Sequence, residues 1–428
     1  MKRILIYIRM NKHDEYDIFS EYSANDFLRV STELFQGGCP NVGNRLWFQG
    51  VISAISTPEN QLTYWNPSMT KDYINDNFDI VIHPLANAFA KYYNEQLQVM
   101  AERFRGIRIP VYIIACGIQA KSYDHLDDLC NVLKDSATAF ISSVYDTGGE
   151  FALRGYFTKE FFERLGFPSA VATGCPSMYQ LGRNLHISDE KVPEEEFRPL
   201  LNGNLQSYTN ILRKYPKAEF FHQDSFLHDL WDSNKFGYDI SDKNHIKNLI
   251  KKYGLPTTLS LLQDKIKLIP NMNDWREYII REKFSMSYGS RIHGNIMPIL
   301  AGIPAVLDAQ DARTREMAEF FNIPCASPSV IDESDLYSLY QKTSYRAFNE
   351  TFAKRFDAFE SFLRQHGIVE HINQKNPFFT PISGEIVTST TKERRDELYK
   401  NYKKHASSYK IYSHSLALNR KISHLMHK

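Results

Sequence analysis

Short runs of β-branched and apolar residues alternate along this chain with longer segments of helical periodicity. The strand-like runs lie at residues 3–8, 78–83, 110–116, 138–144, 151–153 and 170–173, and again at 218–222, 265–270, 284–288 and 304–309. The amphipathic segments in the first half lie at residues 45–55, 94–104, 125–135 and 158–166. Repetition of strand, loop, helix and strand is typical of parallel sheets with helices on both faces. The sequence therefore predicts an α/β fold.

The length of the chain and one change in its local composition predict two such sheets. The 428 residues amount to about three typical domains. Residues 188–204 are charged, contain proline and hold few apolar residues, so we interpret them as the connection between two domains. We expect two Rossmann-like open parallel-sheet domains facing a cleft, at residues 1–195 and 196–343, followed by a helical extension at 344–428. One long sheet is the alternative, which the length disfavours.

Composition excludes several classes of protein. Lys and Arg number 51 against 50 Asp and Glu, so the overall charge gives no reason to expect a nucleic-acid partner. Five cysteines without a CxxC pair indicate reduced thiols rather than zinc ligands or a disulfide framework. The apolar stretch at the amino terminus is too short for a signal peptide, and the longest nearly apolar run, residues 296–307, cannot cross a bilayer. We expect a cytoplasmic protein with no metal site.

The last part of the chain is strongly basic. Residues 392–428 contain ten Lys and Arg against three Asp and Glu, with Tyr, Leu and Ile between them. Such a segment is either a solvated helical tail or a surface that touches an anionic membrane or an acidic partner. Residues 344–365, which precede it, have the pattern of one amphipathic helix.

Common catalytic motifs are missing. The sequence contains no HExxH, no GxSxG and no Asp-x-Asp of the metal-dependent glycosyltransferases, and no GxGxxG follows the first strand. Residues 38–45 (GCPNVGNR) have the glycine spacing of a phosphate loop, but Asn44 and Arg45 stand where Lys and Ser or Thr are required. A phosphate loop and a dinucleotide site are therefore not expected.

An arginine follows the short strand at 151–153. Arg154 and Gly155 form the predicted turn, and Thr158 is the predicted N-cap of the next helix. Arg154 thus lies at the carboxyl end of a parallel strand, where ligands bind in doubly wound sheets. A surface salt bridge is the alternative role.

A second segment, residues 284–313, combines a buried strand with a small-residue helix. Gly289 makes the predicted turn, and Ser290 and Arg291 open the predicted helix, whose N-terminus favours an anion. Arg291 and His293 add a fixed cation and a titratable group. Two residues apart on a helix, they would diverge by about 200°, so both can face one ligand only if the first turn is loop-like.

Three segments, in this order and at these distances, resemble the polysaccharide pyruvyl transferase family. They are LRGYFT (153–158), ATGCPSMY (172–179) and the run from residue 287 to residue 313 that contains RIHG. HPLANAF (83–89) and NVGNRLWFQG (41–50) are similar to two earlier loop regions of the family. The resemblance covers roughly residues 35–330.

The resemblance implies a reaction, an architecture and three catalytic residues. The family transfers the enolpyruvyl group of phosphoenolpyruvate to two hydroxyls of one sugar, which gives a cyclic ketal and phosphate. It implies a fold similar to the two-domain glycosyltransferase-B architecture and no cofactor or metal. Its motif arginines and histidine correspond to Arg154, Arg291 and His293.

The residue types suit such a donor, which carries a carboxylate and a phosphate close together. Arg154 and Arg291 would bind these anions bidentately, and His293 would serve as general acid and base. The expected donor site is completed by Gly289, Ser290 and Arg313, with Asp308 and Asp311 near the same cleft. The expected acceptor residues are His83, Asn87, Asn44 and Trp47, with Tyr64 and Trp65 as further candidates for stacking on a sugar.

The acceptor is then expected to be a sugar of a cell-surface polysaccharide, such as a capsule or exopolysaccharide, or its lipid-linked precursor. The basic segment 392–428 would hold the enzyme against the inner face of the plasma membrane. Two alternatives remain open. One is a glycosyltransferase of the same architecture that uses a nucleotide sugar, and the other is a non-catalytic member that binds glycan or partners in an assembly complex.

Overall fold

The computed structural model describes residues 1–7, 42–223, 265–267, 269, 272–326 and 336–373. Two parallel six-stranded sheets organise these residues into an amino lobe and a carboxyl lobe. The predicted α/β architecture with two open parallel sheets is therefore confirmed. The basic segment 392–428 and Cys39 lie outside the described residues.

The sheet of the amino lobe has the strand order β2-β1-β3-β4-β5-β6. Its strands are β1 Lys2–Ile6, β2 Asn60–Tyr64, β3 Ile80–Pro84, β4 Val111–Cys116, β5 Glu150–Leu153 and β6 Val171–Ala172. Its helices are α1 Val42–Ile55, α2 Lys71–Asn77, α3 Asn94–Phe104, α4 Leu126–Tyr145 and α5 Tyr156–Arg164. Strands β3 and β4 are buried along their whole length, as expected of central strands covered by helices on both faces.

The sheet of the carboxyl lobe has the strand order β12-β11-β10-β7-β8-β9. Its strands are β7 Pro199–Asn202, β8 Glu219–Phe221, β9 Ile266–Lys267, β10 Met286–Gly289, β11 Ala305–Asp308 and β12 Cys325–Ala326. The helices of this part are α6 Leu205–Lys214, α7 Met272–Glu282, α8 Ile292–Leu300, α9 Ala312–Phe321, α10 Leu336–Lys342 and α11 Arg346–Gln365. Numbered from its own first strand, this sheet has the order 3-2-1-4-5-6 of the dinucleotide-binding folds.

Two sequence-based assignments of secondary structure are wrong. Residues 138–144, predicted as a strand, form the last two turns of α4, where Ala137, Phe140, Ile141 and Val144 are buried with the spacing of a helix face. Residues 188–204, interpreted as a connection, contain β7, which pairs with both β8 and β10. The predicted boundary at residue 195 lies between β6 and β7, and the division into domains stays a prediction.

The apolar core has two parts. One cluster of buried side chains lies mainly in the amino lobe, between its sheet and helices α3, α4 and α5, and includes Ala312 of α9. The other runs through both lobes, because α1 of the amino lobe packs against α8 of the carboxyl lobe. The lobes are thus joined by shared hydrophobic contacts as well as by the chain.

Helix α11 matches the amphipathic helix predicted at 344–365. Its buried face is a row of aromatic side chains, Phe348, Phe352, Phe356, Phe359 and Phe362, in which spacings of three and four residues keep the rings on one side. Tyr179 of the amino lobe stacks on Phe359 with ring centroids 5.2 Å apart. None of the described helices is long and apolar enough to cross a membrane.

Candidate active site

The carboxyl lobe has a crevice where its strand order reverses. Strands β7 and β10 are neighbours in the sheet, but the chain leaves them toward opposite sides. In open parallel sheets, ligands bind outside the carboxyl ends of the strands at this point. Asn202 ends β7, and Gly289 ends β10 directly before Ser290 and Arg291. The RIHG segment therefore lies at the position where the topology favours a ligand.

A buried pair of asparagines builds this turn. Asn202 accepts the backbone N–H of Arg291 on its Oδ1 at 3.0 Å, and its carbonyl accepts the N–H of Ser290 at 3.3 Å. The Nδ2 of Asn295 donates to the carbonyls of Gly289 and Arg291, at 2.9 Å each. The two amides also hydrogen-bond each other, with Nδ2 of Asn202 donating to Oδ1 of Asn295 at 3.1 Å. Both side chains are buried, so this network fixes the backbone of the turn.

Two glycines are required by this packing. A Cβ atom at Gly289 would lie 1.9 Å from the carbonyl oxygen of Asn202, and one at Gly294 would lie 2.7 Å from its Cγ. Neither position has room for a side chain. The glycines of the motif therefore serve the close approach of the turn to β7.

The first turn of α8 settles whether Arg291 and His293 can face one ligand. Helix α8 begins at Ile292, whereas Ser290 was the predicted start. Arg291 is the N-cap residue with extended backbone, φ −87° and ψ 120°. Arg291 and His293 can face one ligand only if the first turn is loop-like, and the extended backbone of Arg291 meets this condition. Arg291 does not follow the helical rotation that would separate it from His293.

The amino lobe adds a second arginine from the end of β5. Arg154 is 2% exposed. Its backbone N–H donates to the carbonyl of Cys116 at 2.7 Å, and its Nη1 donates to Oδ1 of Asn87 at 2.7 Å. Its Nε is buried, with no hydrogen-bond partner among the described residues. A buried guanidinium with an unused donor is suited to bind an anion.

A third arginine comes from the first turn of α9. Asp311 caps this helix and accepts from Nη2 of Arg313 at 3.2 Å. Burial lowers the pKa of Arg313, Asp311 opposes this, and the charges of Arg154 and Arg291 lower it further. The charges of Arg154 and Arg291 thus act on Arg313, so the three guanidiniums lie within electrostatic range of one another.

His293 lies within this positive field. Burial, followed by the charges of Arg154 and Arg313, lowers its pKa to about 3. The imidazole is therefore neutral at neutral pH in the ligand-free protein. Its Nε2 lies 4.0 Å from the Sγ of Cys175 in the GCPS segment of the amino lobe, so His293 stands where the two lobes meet.

The family model for polysaccharide pyruvyl transferase matches residues 51–307. The chain belongs to this family. The matched range begins within α1 and ends within β11, and it includes Arg154 of the amino lobe and Arg291 and His293 of the carboxyl lobe. No curated protein matches the chain.

Three solved structures are similar to the chain in fold. A Listeria monocytogenes protein described as a UDP-N-acetylglucosamine 2-epimerase is 9% identical, with 86% of this chain and 98% of that chain covered and a TM-score of 0.45. The S. aureus MnaA–UDP structure has 9% identity, coverage of 86% and 98%, and a TM-score of 0.42. The glycosyltransferase SnogD from Streptomyces nogalater has 10% identity, coverage of 86% and 100%, and a TM-score of 0.34.

For this pyruvyl transferase family member, the structure brings together six residues predicted at the donor side and one at the acceptor side. The first six are Gly289, Ser290, Arg291, His293, Arg154 and Arg313. Asn87, predicted to touch the acceptor, instead holds Arg154. Its φ of 23° is a left-handed conformation that asparagine tolerates better than most residues.

The other predicted acceptor residues do not lie beside the arginines and His293. The His83 side chain is 6% exposed, and its Nδ1 donates to the carbonyl of Tyr7 at 2.5 Å beside the ring of Phe104. Trp47 is buried in the core that joins the lobes and does not offer a surface for a sugar. Asn44 is exposed in the first turn of α1. Trp65 and Tyr64 are partly buried, and Trp65 packs on Tyr7.

Three further residues singled out in the sequence, Thr158, Asp311 and Asp308, have defined places in the structure. Thr158 is not the N-cap of α5, because the cap residue is Gly155. Asp311 caps α9, and Asp308 is buried with Tyr208 donating to its Oδ2 at 2.8 Å. No group of three or more potential metal ligands occurs among the described residues. Four cysteines, Cys116, Cys130, Cys175 and Cys325, are free thiols.

Sequence reasoning missed Asn202 and Asn295. Asn202 falls in the segment interpreted as a connection, and Asn295 follows RIHG on a helix otherwise rich in apolar residues. An asparagine buried within such a helix needs hydrogen-bond partners, which is the one signal that could have indicated Asn295. Asn202 could be found only once β7 was placed beside β10.

Proposed function

We propose that this protein is a ketal-pyruvyltransferase that uses phosphoenolpyruvate as donor. Membership of the family supports a transferase that acts on a sugar of a polysaccharide. The donor is inferred from one arrangement: Arg154, Arg291 at the N-cap of α8, Arg313 and the neutral His293 lie within electrostatic range of one another at the crevice of the carboxyl lobe.

The charge of this cluster supports a small, highly anionic ligand. Phosphoenolpyruvate carries up to three negative charges on a carboxylate and a phosphate that are both attached to C2. Arginine binds both groups bidentately and remains charged at any working pH. The donor would therefore relieve the repulsion that lowers the pKa of Arg313. The N-terminus of α8 would add backbone N–H groups to the phosphate.

His293 would move the protons. The negative charge of the bound donor would raise the pKa of the imidazole, which takes up a proton and donates it to the methylene carbon, so that C2 becomes electrophilic. The first sugar hydroxyl then attacks C2 and returns its proton to His293. The bond from C2 to the phosphate oxygen breaks, the second hydroxyl attacks C2, and its proton leaves with phosphate. The arginines would stabilise the departing phosphate.

The proposed acceptor is a sugar of a cell-surface polysaccharide, such as a capsule or exopolysaccharide, or its lipid-linked precursor. It would reach the donor from the amino lobe, since the donor-binding turn belongs to the carboxyl lobe. The proposed chemistry uses neither a metal nor a cofactor, because protonation by His293 makes C2 electrophilic and arginines balance the phosphate charge.

A thermal-shift panel tests this proposal. Phosphoenolpyruvate, phosphate, UDP, GDP and CMP are added to the wild type, to Arg291→Ala and to Arg315→Ala, an exposed arginine of α9. A ligand at 100 times its dissociation constant should stabilise the protein by about 2.7 kcal/mol. We expect a shift with phosphoenolpyruvate that persists in Arg315→Ala and vanishes in Arg291→Ala. A shift with a nucleotide alone would contradict the proposal and favour the nucleotide-sugar glycosyltransferase.

We further propose that the basic segment 392–428 holds the protein on the anionic inner face of the plasma membrane. Its local charge of ten basic against three acidic residues would contribute about 1 kcal/mol for each Lys or Arg near the surface, screened over about 8 Å. Full-length protein should sediment with vesicles containing phosphatidylglycerol, and less so at high salt. Equal binding by a chain that ends at residue 390 would contradict this.

A further inference from the structure

Helix α9 carries two groups of opposite charge toward the amino lobe. Arg313, in its first turn, belongs to the arginine cluster, and Glu316 follows three residues later, nearly one turn along. Glu316 is 2% exposed. A buried carboxylate is costly unless it is hydrogen-bonded, so its partners indicate its role.

The partners of Glu316 belong to the other lobe. The backbone N–H of Thr158 donates to its Oε1 at 2.6 Å, and the Thr158 hydroxyl donates to its Oε2 at 2.9 Å. Thr158 lies in the first turn of α5, whose cap residue Gly155 makes no side-chain cap. A carboxylate from the carboxyl lobe therefore caps the helix that begins directly after Arg154, where its charge also favours the helix dipole.

The contact between the lobes at this point is tight. A Cβ atom at Gly155 would lie 2.5 Å from the Cγ of Glu316. The backbone of Gly155 is extended, with φ −176°, which any residue adopts. Glycine is therefore needed here for space, and the space is filled by Glu316.

The two arginines near this contact are fixed in different lobes. Arg154 is held by Cys116 and Asn87 of the amino lobe, whereas Arg313 moves with α9. Glu316 is close enough to Arg154 that the arginine charge acts on it: burial raises its pKa to about 7, while Thr158 and then Arg154 act in the opposite direction. Through the hydrogen bonds of Glu316 to Thr158, the start of α5, which follows Arg154, is joined directly to α9, which carries Arg313.

Other contacts along the same face of α9 are more exposed. The Tyr123 hydroxyl donates to Oε2 of Glu319 at 2.6 Å, and the Arg315 guanidinium lies 4.7 Å from the centre of the Tyr123 ring. Glu319 is thus a matched control, because it is a carboxylate of the same helix that also accepts a hydrogen bond across the lobes.

We propose that Glu316 is a positioning residue that sets the separation of Arg154 and Arg313 by capping α5 from the opposite lobe. This rests on the proposed function only in that these arginines bind an anion together. Glu316 acts through its length and hydrogen bonds, so an amide of equal length can replace it and a shorter carboxylate cannot.

Calorimetric titration of the full chain with phosphoenolpyruvate and, separately, with inorganic phosphate tests this. Glu316→Asp keeps the charge but shortens the side chain, and should weaken phosphoenolpyruvate binding about tenfold. Glu316→Gln keeps the length and should stay within about threefold of wild type, as should Glu319→Gln. If the Asp variant does not fold, Thr158→Val removes the hydroxyl donor from the other lobe and should also weaken binding.

A double variant separates positioning from a general loss of structure. Arg313→Ala removes one of the two groups whose spacing Glu316 sets, so adding Glu316→Asp should weaken binding by less than about threefold more. The proposal would be overturned if the affinity losses of Arg313→Ala and Glu316→Asp multiply in the double variant. It would also be overturned if Glu316→Asp binds like wild type while Glu316→Gln does not. If wild type binds phosphate but not phosphoenolpyruvate, the proposed donor is wrong and the same comparison with phosphate still decides the role of Glu316. If it binds neither, both proposals fail.

Discussion

The two lobes have sheets of equal size but different strand order, and they contribute to the site in different ways. In the carboxyl lobe, the crevice between β7 and β10 is lined by Asn202, Gly289 and Ser290, which are small and polar. In the amino lobe the order reverses between β1 and β3, where the described residues include Tyr7 and the buried His83. The amino lobe supplies Arg154 from β5 instead.

This difference shows what a topological crevice requires before it can bind a ligand. The turn after β10 carries Arg291 and His293 on a backbone that Asn202 and Asn295 hold by hydrogen bonds, whereas the aromatic rings around His83 occupy the space at β3. Topology selects a position for a ligand, and the residues at that position decide whether it is available.

The largest effect is expected from the histidine of the carboxyl lobe. His293→Gln should lower phosphate release from phosphoenolpyruvate about 10³-fold, because general acid–base catalysis contributes about 10² to 10⁴. Donor affinity should change little, since the arginines remain. Steady-state phosphate release and calorimetric binding measure the two quantities. His83→Gln, in the amino lobe, is the control and should retain turnover; equal loss in both variants would remove the distinction between the lobes.

The second effect concerns His83 and the stability of the amino lobe at low pH. Burial lowers its pKa to about 4, the Tyr7 carbonyl opposes this, and Arg103 lowers it. In the unfolded chain this histidine has a pKa near 6.5, so it takes up a proton before His83 does in the folded protein. The stabilisation that comes from a neutral His83 is therefore complete above pH 6.5 and is lost as pH falls toward 4. At 1.36 kcal/mol for each pKa unit, the loss is about 3 kcal/mol.

Urea unfolding between pH 7 and pH 4 measures that loss. His83→Phe should show a flatter acid side than wild type, because the side chain no longer titrates. Parallel stability curves for the two proteins would show that other groups cause the acid sensitivity.

Third, two glycine variants compare packing within a lobe and between lobes. In Gly289→Ala the new Cβ meets the backbone of Asn202, which cannot move without breaking β7, so we expect a cost of about 3 kcal/mol. In Gly155→Ala it meets the Glu316 side chain, which can shift only by weakening its hydrogen bonds to Thr158, so the cost should be about 2 kcal/mol. Denaturant unfolding at one pH compares them, and the reverse order would mean that the lobe interface is the more rigid of the two.

The smallest effect is expected at the edge of the arginine cluster. Asn87→Gly removes the amide that accepts from Arg154 while it relieves the positive φ of that residue. Donor binding should weaken about tenfold, or about 1.4 kcal/mol, with unchanged stability. Titration with phosphoenolpyruvate measures the affinity. Unchanged affinity would show that Arg154 is held by its backbone alone.

The carboxyl-lobe part of the site was predictable because its signals are local. Gly289, Arg291 and His293 stand together in one motif at the end of an apolar strand. Arg154 was predictable for a similar reason, since a turn after a short strand places it at the carboxyl edge. Helices α3 and α11 were found because their apolar spacing is regular.

The wrong strand at residues 138–144 has a local cause, whereas β7 and Glu316 were missed because distant parts of the fold decided the outcome. Residues 138–144 contain Ile141 and Val144, which favour a strand, but no glycine or proline separates them from the helix before them. Strand β7 is four residues long and follows three glutamates, so only its pairing with β8 and β10 defines it. Glu316 sits in an ordinary helical pattern, and nothing in the sequence distinguishes it from an exposed glutamate.

The apolar cluster that joins α1 to α8 has a consequence for how substrates enter. Swinging the lobes apart would expose this buried surface to water, at about 2.5 kcal/mol for each 100 Å². The lobes therefore melt as one cooperative unit rather than open as a hinge. We therefore expect the acceptor to be selected by the shape of the surface between the lobes rather than by closure of the lobes around the substrate.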